Sequence, residues 1–164
     1  MTDSTPPLAP ELLSALELVL DRLAPLAVPW AVTGSLGMRL QGVPLAVHDL
    51  DLQSDGQGFE AMADLLCDYI AEPPAYRESP DLRSMFGILR VGAARVELMG
   101  DLQKRAADGT WEPPTRVADH LQKVEWRGRV VPVLDLSYEE QAYRRLGRTD
   151  RADLLRRWLA GQGI

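Results

Sequence analysis

Two aspartates one residue apart, Asp49 and Asp51, sit among leucines in the run His48-Asp-Leu-Asp-Leu52. Successive side chains of a strand point to opposite faces, so Leu50 and Leu52 would face a core while Asp49 and Asp51 project together from the other side. Paired acids repel, and a bound divalent cation is a natural reason to keep both ionised. The run Arg95-Val-Glu-Leu-Met99 repeats the pattern with one acid, Val96 and Leu98 facing one way and Glu97 the other. If the two strands are neighbours, three carboxylates converge. Such a cluster can hold two magnesium ions on a nucleoside triphosphate and stabilise an in-line displacement at phosphorus. Glu97 could also help deprotonate an attacking hydroxyl. Upstream, Gly34-Ser35 follows an apolar strand and opens a short helix. A glycine there lets a phosphate approach the backbone closely. The helix N-terminus offers free N–H groups and a favourable dipole, and the Ser35 hydroxyl one more hydrogen bond.

These residues need elements to position them. Leu12, Leu13, Leu16, Val19, Leu20 and Leu23 recur at helical spacing and predict a helix over residues 10 to 26, opened by Pro10. A strand over 30–33, a helix over 35–40, a strand over 48–53 and a helix over 59–70 follow. Residues 72 to 80 read as a loop. Strand-like runs over 84–90 and 94–99 flank Val91-Gly92-Ala93 as a hairpin. Residues 103 to 114 read as irregular, and 116–126 and 129–134 as strands joined at Arg127-Gly128. Two helices close the chain. Ser137 with Glu140 predicts a capping box for the first, and Thr149 a cap for the second. The expected fold is α/β (α+β), a mixed sheet flanked by helices with a C-terminal helical pair. Residues 1 to 9 are expected to form a disordered tail, and 10–164 one domain with 134–164 as a helical extension.

The totals narrow the chemistry. A chain of 164 residues that is 46% hydrophobic can bury a core without disulfides. Cys67 is the only cysteine and His48 and His120 the only histidines, so a Cys-based zinc site is excluded, a His-rich site is disfavoured, and oxygen ligands favour magnesium or manganese. A lone cysteine, no secretory signal and no membrane-length apolar run predict a cytoplasmic protein. The net charge of −6 argues against a large nucleic-acid footprint.

Together, Val32-Thr33-Gly34-Ser35, Asp49-Leu50-Asp51 and Glu97 resemble the motif set of the DNA polymerase beta superfamily of nucleotidyltransferases. The stretch from Val131 to Leu155 is similar to its small stand-alone bacterial members, which carry a strand, a helix, then an arginine and a lysine near the start of a last helix. Two positions depart from that pattern: Arg151 stands where lysine is commoner, and Glu97 where aspartate is. The resemblance implies the nucleotidyltransferase fold and transfer of a nucleoside monophosphate to an acceptor hydroxyl, AMP where ATP is the co-substrate or the corresponding monophosphate of another NTP. It implies metal ligation by Asp49, Asp51 and Glu97, phosphate contact by Gly34 and Ser35, and charge neutralisation by Arg148 and Arg151. A small molecule or a protein is favoured as acceptor over RNA.

Plainer readings stand beside these. An Asp-x-Asp pair alone is most often a solvated strand face, Glu97 could be a surface acid paired with Arg90 or Arg95, and Gly34-Ser35 a tight turn with a cap. Arg151 shares a helical face with Leu154, Leu155 and Trp158, points inward and needs an anion, either Asp135 or a triphosphate. His48 is expected in the core or behind the acids, Cys67 as a buried filler, and Trp30, Trp126 and Trp158 in the core, leaving Trp111 as the tryptophan best placed for a ligand. A different class of function, a non-catalytic nucleotide-binding or regulatory module with a partner protein, as in a toxin–antitoxin pair, fits the same motifs.

Overall fold

The computed structural model describes residues 4–163. It contains seven strands in one mixed sheet, ordered β3-β4-β5-β2-β1-β7-β6. The strands are β1 (Trp30–Thr33), β2 (Leu50–Ser54), β3 (Ile70–Glu78), β4 (Leu82–Val91), β5 (Ala94–Lys104), β6 (Leu121–Trp126) and β7 (Arg129–Leu134), and the helices α1 (Pro10–Leu23), α2 (Gly34–Leu40), α3 (Gly56–Leu65), α4 (Leu136–Arg145) and α5 (Thr149–Gly161). At the centre, β2 runs antiparallel to β1 and parallel to β5.

One face of this centre is apolar. Val32, Leu50, Leu52, Val96 and Leu98 are buried there with Leu12, Leu16, Val19 and Leu23 of α1 and Phe59 and Met62 of α3. The alternation that buries them turns Thr33, Asp51, Gln53, Glu97 and Met99 to the opposite face, which α4 covers. A second cluster joins Met38 and Val43 to Leu136 and Leu155, so α2, α4 and α5 are anchored together beside the sheet. Among the described residues no helix is long and apolar enough to cross a membrane.

Several boundaries differ from the sequence expectation, each for a physical reason. Within the expected loop over residues 72 to 80, residues 72 to 78 form most of β3. That strand lies at the sheet edge, carries Pro73-Pro74, and its pairing with β4 shifts register twice. An edge strand can spare N–H groups, so proline is tolerated there and no burial alternation marks it. The second strand begins at Leu50, leaving His48 exposed and Asp49 just before it. Cys67 is exposed because α3 ends at Leu65 and a 3-10 turn carries it outward. Asp135, not Ser137, caps α4 by accepting from the Tyr138 N–H, and Arg148 rather than Thr149 occupies the cap position of α5. Of the tail expected over residues 1 to 9, Leu8 and Ala9 pack against the main core. Residues 1 to 3 lie outside the described residues.

Candidate functional site

A cleft of about 250 Å³ opens between α4 and the polar face of the sheet, lined by Thr33, Gly34, Asp51, Gln53, Glu97 and Arg148 among others. The parallel pairing of β2 with β5 sets Asp51 directly beside Glu97, and the antiparallel pairing with β1 sets it beside Thr33. Two of the expected acids therefore sit side by side, and Asp49 lies close enough for its charge to act on Asp51.

Asp51 is the most perturbed of them. Burial, then the Glu97 carboxylate and a hydrogen bond to it, then the charges of Asp49 and Glu139, push its pKa up to about 8. Its Oδ1 is buried without a hydrogen-bond partner. Glu97 is differently placed: Arg95 binds it through Nε at 3.0 Å and Nη2 at 2.9 Å. The plainer pairing expected from sequence is thus present, on the cleft side of β5. Among the described residues no three His, Cys, Asp or Glu side chains form a ready-made metal site.

Gly34 has φ +66°, and a Cβ there would collide with the Asp51 carboxylate. Only glycine meets both conditions without strain, so Gly34 is fixed by the aspartate as much as by the turn. Its N–H faces Glu139, whose carboxylate accepts from the Thr33 hydroxyl. Glu139 is 5% exposed. Burial raises its pKa to about 7, against the Thr33 and Gly34 hydrogen bonds and the Lys104 charge. Glu139 is absent from the residues singled out in the sequence; its signal is its position four residues after the α4 cap at Asp135.

Arg148 lines the cleft, and Arg151 lies half-buried beside Met38, its Nη1 3.8 Å from the sulfur. Both guanidinium groups lie against the Tyr143 ring, at 5.8 and 5.9 Å from its centre. Neither has a carboxylate partner among the described residues. Asp135, one of the two anions open to Arg151 in the sequence, is spent on the α4 cap. Ser35 is half-buried at the start of α2. Trp111 lies outside the cleft, stacked by Arg83 and Arg105, while His120 stacks on Tyr138.

The arrangement can bind an oxygen-rich anion through two arginines without carboxylate partners, near a buried carboxyl with one unpartnered oxygen. Comparisons with known proteins bear on that chemistry. Residues 15–156 match the family model described as aminoglycoside-2''-adenylyltransferase. A comparison with curated proteins finds no match. Among solved structures, a candidate nucleotidyltransferase from Thermotoga maritima is 41% identical over 94% of this chain and 96% of its own, with TM-score 0.83. ANT(2'')-Ia in complex with adenylyl-2''-tobramycin aligns over 93% of this chain and 91% of its own at 12% identity and TM-score 0.56. The lincosamide antibiotic adenylyltransferase LnuA, lincomycin-bound, covers 89% and 94% at 12% identity and TM-score 0.53. The last two share the fold, which is the nucleotidyltransferase fold expected from the sequence.

Proposed function

The chain belongs to the aminoglycoside-2''-adenylyltransferase family and is a nucleotidyltransferase, and on that footing we propose that it moves AMP from ATP to an acceptor hydroxyl by the chemistry of the DNA polymerase beta superfamily. The observation that carries this reading is Asp51: a buried carboxyl with an unpartnered oxygen, beside Glu97, in the same cleft as Arg148.

A divalent cation fits that site. The donors are all carboxylate oxygens, the Oδ1 lacks a partner, and an acid cluster that keeps Asp51 protonated is one a dication would ionise. Asp51, with Asp49 and Glu97 beside it, would hold the ion together with phosphate oxygens of the nucleotide. Magnesium or manganese would supply charge stabilisation at the phosphorus under attack.

The chain's own residues do the rest. Arg148 and Arg151 take the triphosphate, which gives both cations the anion they lack. The Ser35 hydroxyl adds a hydrogen bond. Glu139 clamps the Thr33-Gly34 turn, and so fixes the glycine against Asp51. Glu97 accepts the proton as the acceptor oxygen bonds to the α-phosphorus and the bond to pyrophosphate breaks. Arg95 orients that carboxylate, since its Nε and Nη2 both bind the same oxygen, Oε1, and leave Oε2 unbound by the guanidinium.

The test is pyrophosphate release from ATP and magnesium with lincosamides, aminoglycosides, tRNA and a cell lysate as acceptors. Glu97→Gln is expected to bind ATP and lose turnover by about a hundredfold or more. Arg151→Ala is expected to weaken ATP binding and turnover together. Intact ATP binding with no release by the wild type across that panel would replace the enzyme with a binding module.

A further inference from the structure

The cleft has a second end that the nucleotide chemistry leaves unused. Beyond Asp51 and Glu97 its walls include Leu82, Phe86, Met99 and Leu102, with the polar side chains of Gln53, Lys104 and Tyr138. Gln53 is 2% exposed and its amide nitrogen has no hydrogen-bond partner. Lys104 is 6% exposed. Its ammonium donates to the Tyr138 hydroxyl at 2.7 Å and the Thr115 hydroxyl at 3.4 Å, both neutral, and no carboxylate lies within ion-pair distance among the described residues. Glu139 feels the Lys104 charge but is bonded to Thr33 and Gly34 instead.

An ammonium has three donors, and two are used here. A buried cation with no carboxylate in ion-pair contact and a buried amide without a partner each cost stability, and the two lining one recess leave the same deficit: a missing oxygen acceptor, preferably charged. The recess also opens outward. Lys104, Tyr138 and Ala142 line an adjoining depression of about 380 Å³, room for the rest of a molecule whose anionic group is held inside.

We infer that Lys104 and Gln53 form the acceptor's recess and bind the anionic oxygens, carboxylate or phosphate, of a hydroxyl-bearing acceptor. A polycationic aminoglycoside is then repelled by Lys104 rather than recruited. This rests on the nucleotidyl-transfer reading, because it assigns the end of the cleft that the nucleotide does not fill.

Two methionines make the two ends separately visible. Met38 touches Arg151 at the triphosphate end and Met99 lines the recess. Methyl NMR of the full chain with magnesium and a non-hydrolysable ATP analogue is expected to move Met38. With the analogue saturating, inorganic phosphate and acetate are expected to move Met99, and the stronger of the two names the anion class. Lys104→Met and Gln53→Leu should each weaken that response by about tenfold while Met38 still answers the analogue. Gln53→Leu should also keep or raise the melting temperature, because it removes an orphaned amide; a purely structural glutamine would lose stability. A responsive Met38 with a silent Met99 overturns the recess alone. So does an analogue that moves Met99 and blocks phosphate, or tobramycin moving Met99 at lower concentration than phosphate. A silent Met38 overturns the nucleotide reading, and this inference with it.

Discussion

At the scale of single residues two acids of the site, Asp51 and Glu139, are buried without an ion pair among the described residues, while Glu97 is held by Arg95. Asp51 rises from 3.8 to about 8 and Glu139 from 4.5 to about 7, both chiefly because burial disfavours the charged form. In the window between the unfolded and folded values the native state binds more protons than the unfolded chain, so stability falls as pH rises. Without divalent cations, the melting temperature is expected to drop between about pH 5 and pH 8, a loss on the order of a few kcal/mol. Magnesium with ATP should shrink that loss by favouring ionised Asp51, and Asp51→Asn should flatten the part of the profile above about pH 7. Thermal melts in chelator and in magnesium with ATP across that range check it. A melting temperature that climbs through the same window would mean that the two carboxyls are ionised and compensated in the native state.

At the scale of elements, the centre of the sheet was legible and its margins were not. Leu50, Leu52, Val96 and Leu98 alternate with Asp51 and Glu97, so the face of each acid followed from period two alone. Lys104 shows why the rest stayed hidden. By strict alternation it shares a face with Val96 and Leu98. Asp101, at φ +49°, interrupts β5 where its pairing with β4 shifts register, and from there Leu102 and Lys104 line the cleft with Met99. No spacing rule announces such a bulge. The caps show a related limit, since Ser137 and Asp135 are both good caps and only the path of the chain selects between them. The bulge is held by the Asp101 carboxylate accepting from the Gly56 N–H at 2.8 Å. Asp101→Val is expected to cost about 2 kcal/mol in denaturant unfolding, from a branched side chain at positive φ and a lost hydrogen bond, while Asp101→Gly costs less. Equal costs for the two would show that the backbone conformation at this position carries no strain.

For the whole molecule, one sheet divides the labour. Its apolar face, packed by α1 and α3, holds β1, β2 and β5 in register, and its polar face collects the acids under α4. The helical pair then brings Arg148 to the same cleft, with Arg151 beside the same Tyr143 ring, and neither has a carboxylate partner among the described residues. The claim joining these parts is that Asp51 is ionised and used when metal and nucleotide bind, and the most direct measurement is the melting temperature with ATP alone and with ATP plus magnesium, for the wild type and Asp51→Asn. A ligand that binds only the native state at about a hundred times its dissociation constant adds about 2.7 kcal/mol. The wild type should gain a clear further rise when magnesium joins ATP, and Asp51→Asn should keep only the shift that ATP gives by itself. Equal magnesium-dependent rises in both proteins would contradict the carboxylate site.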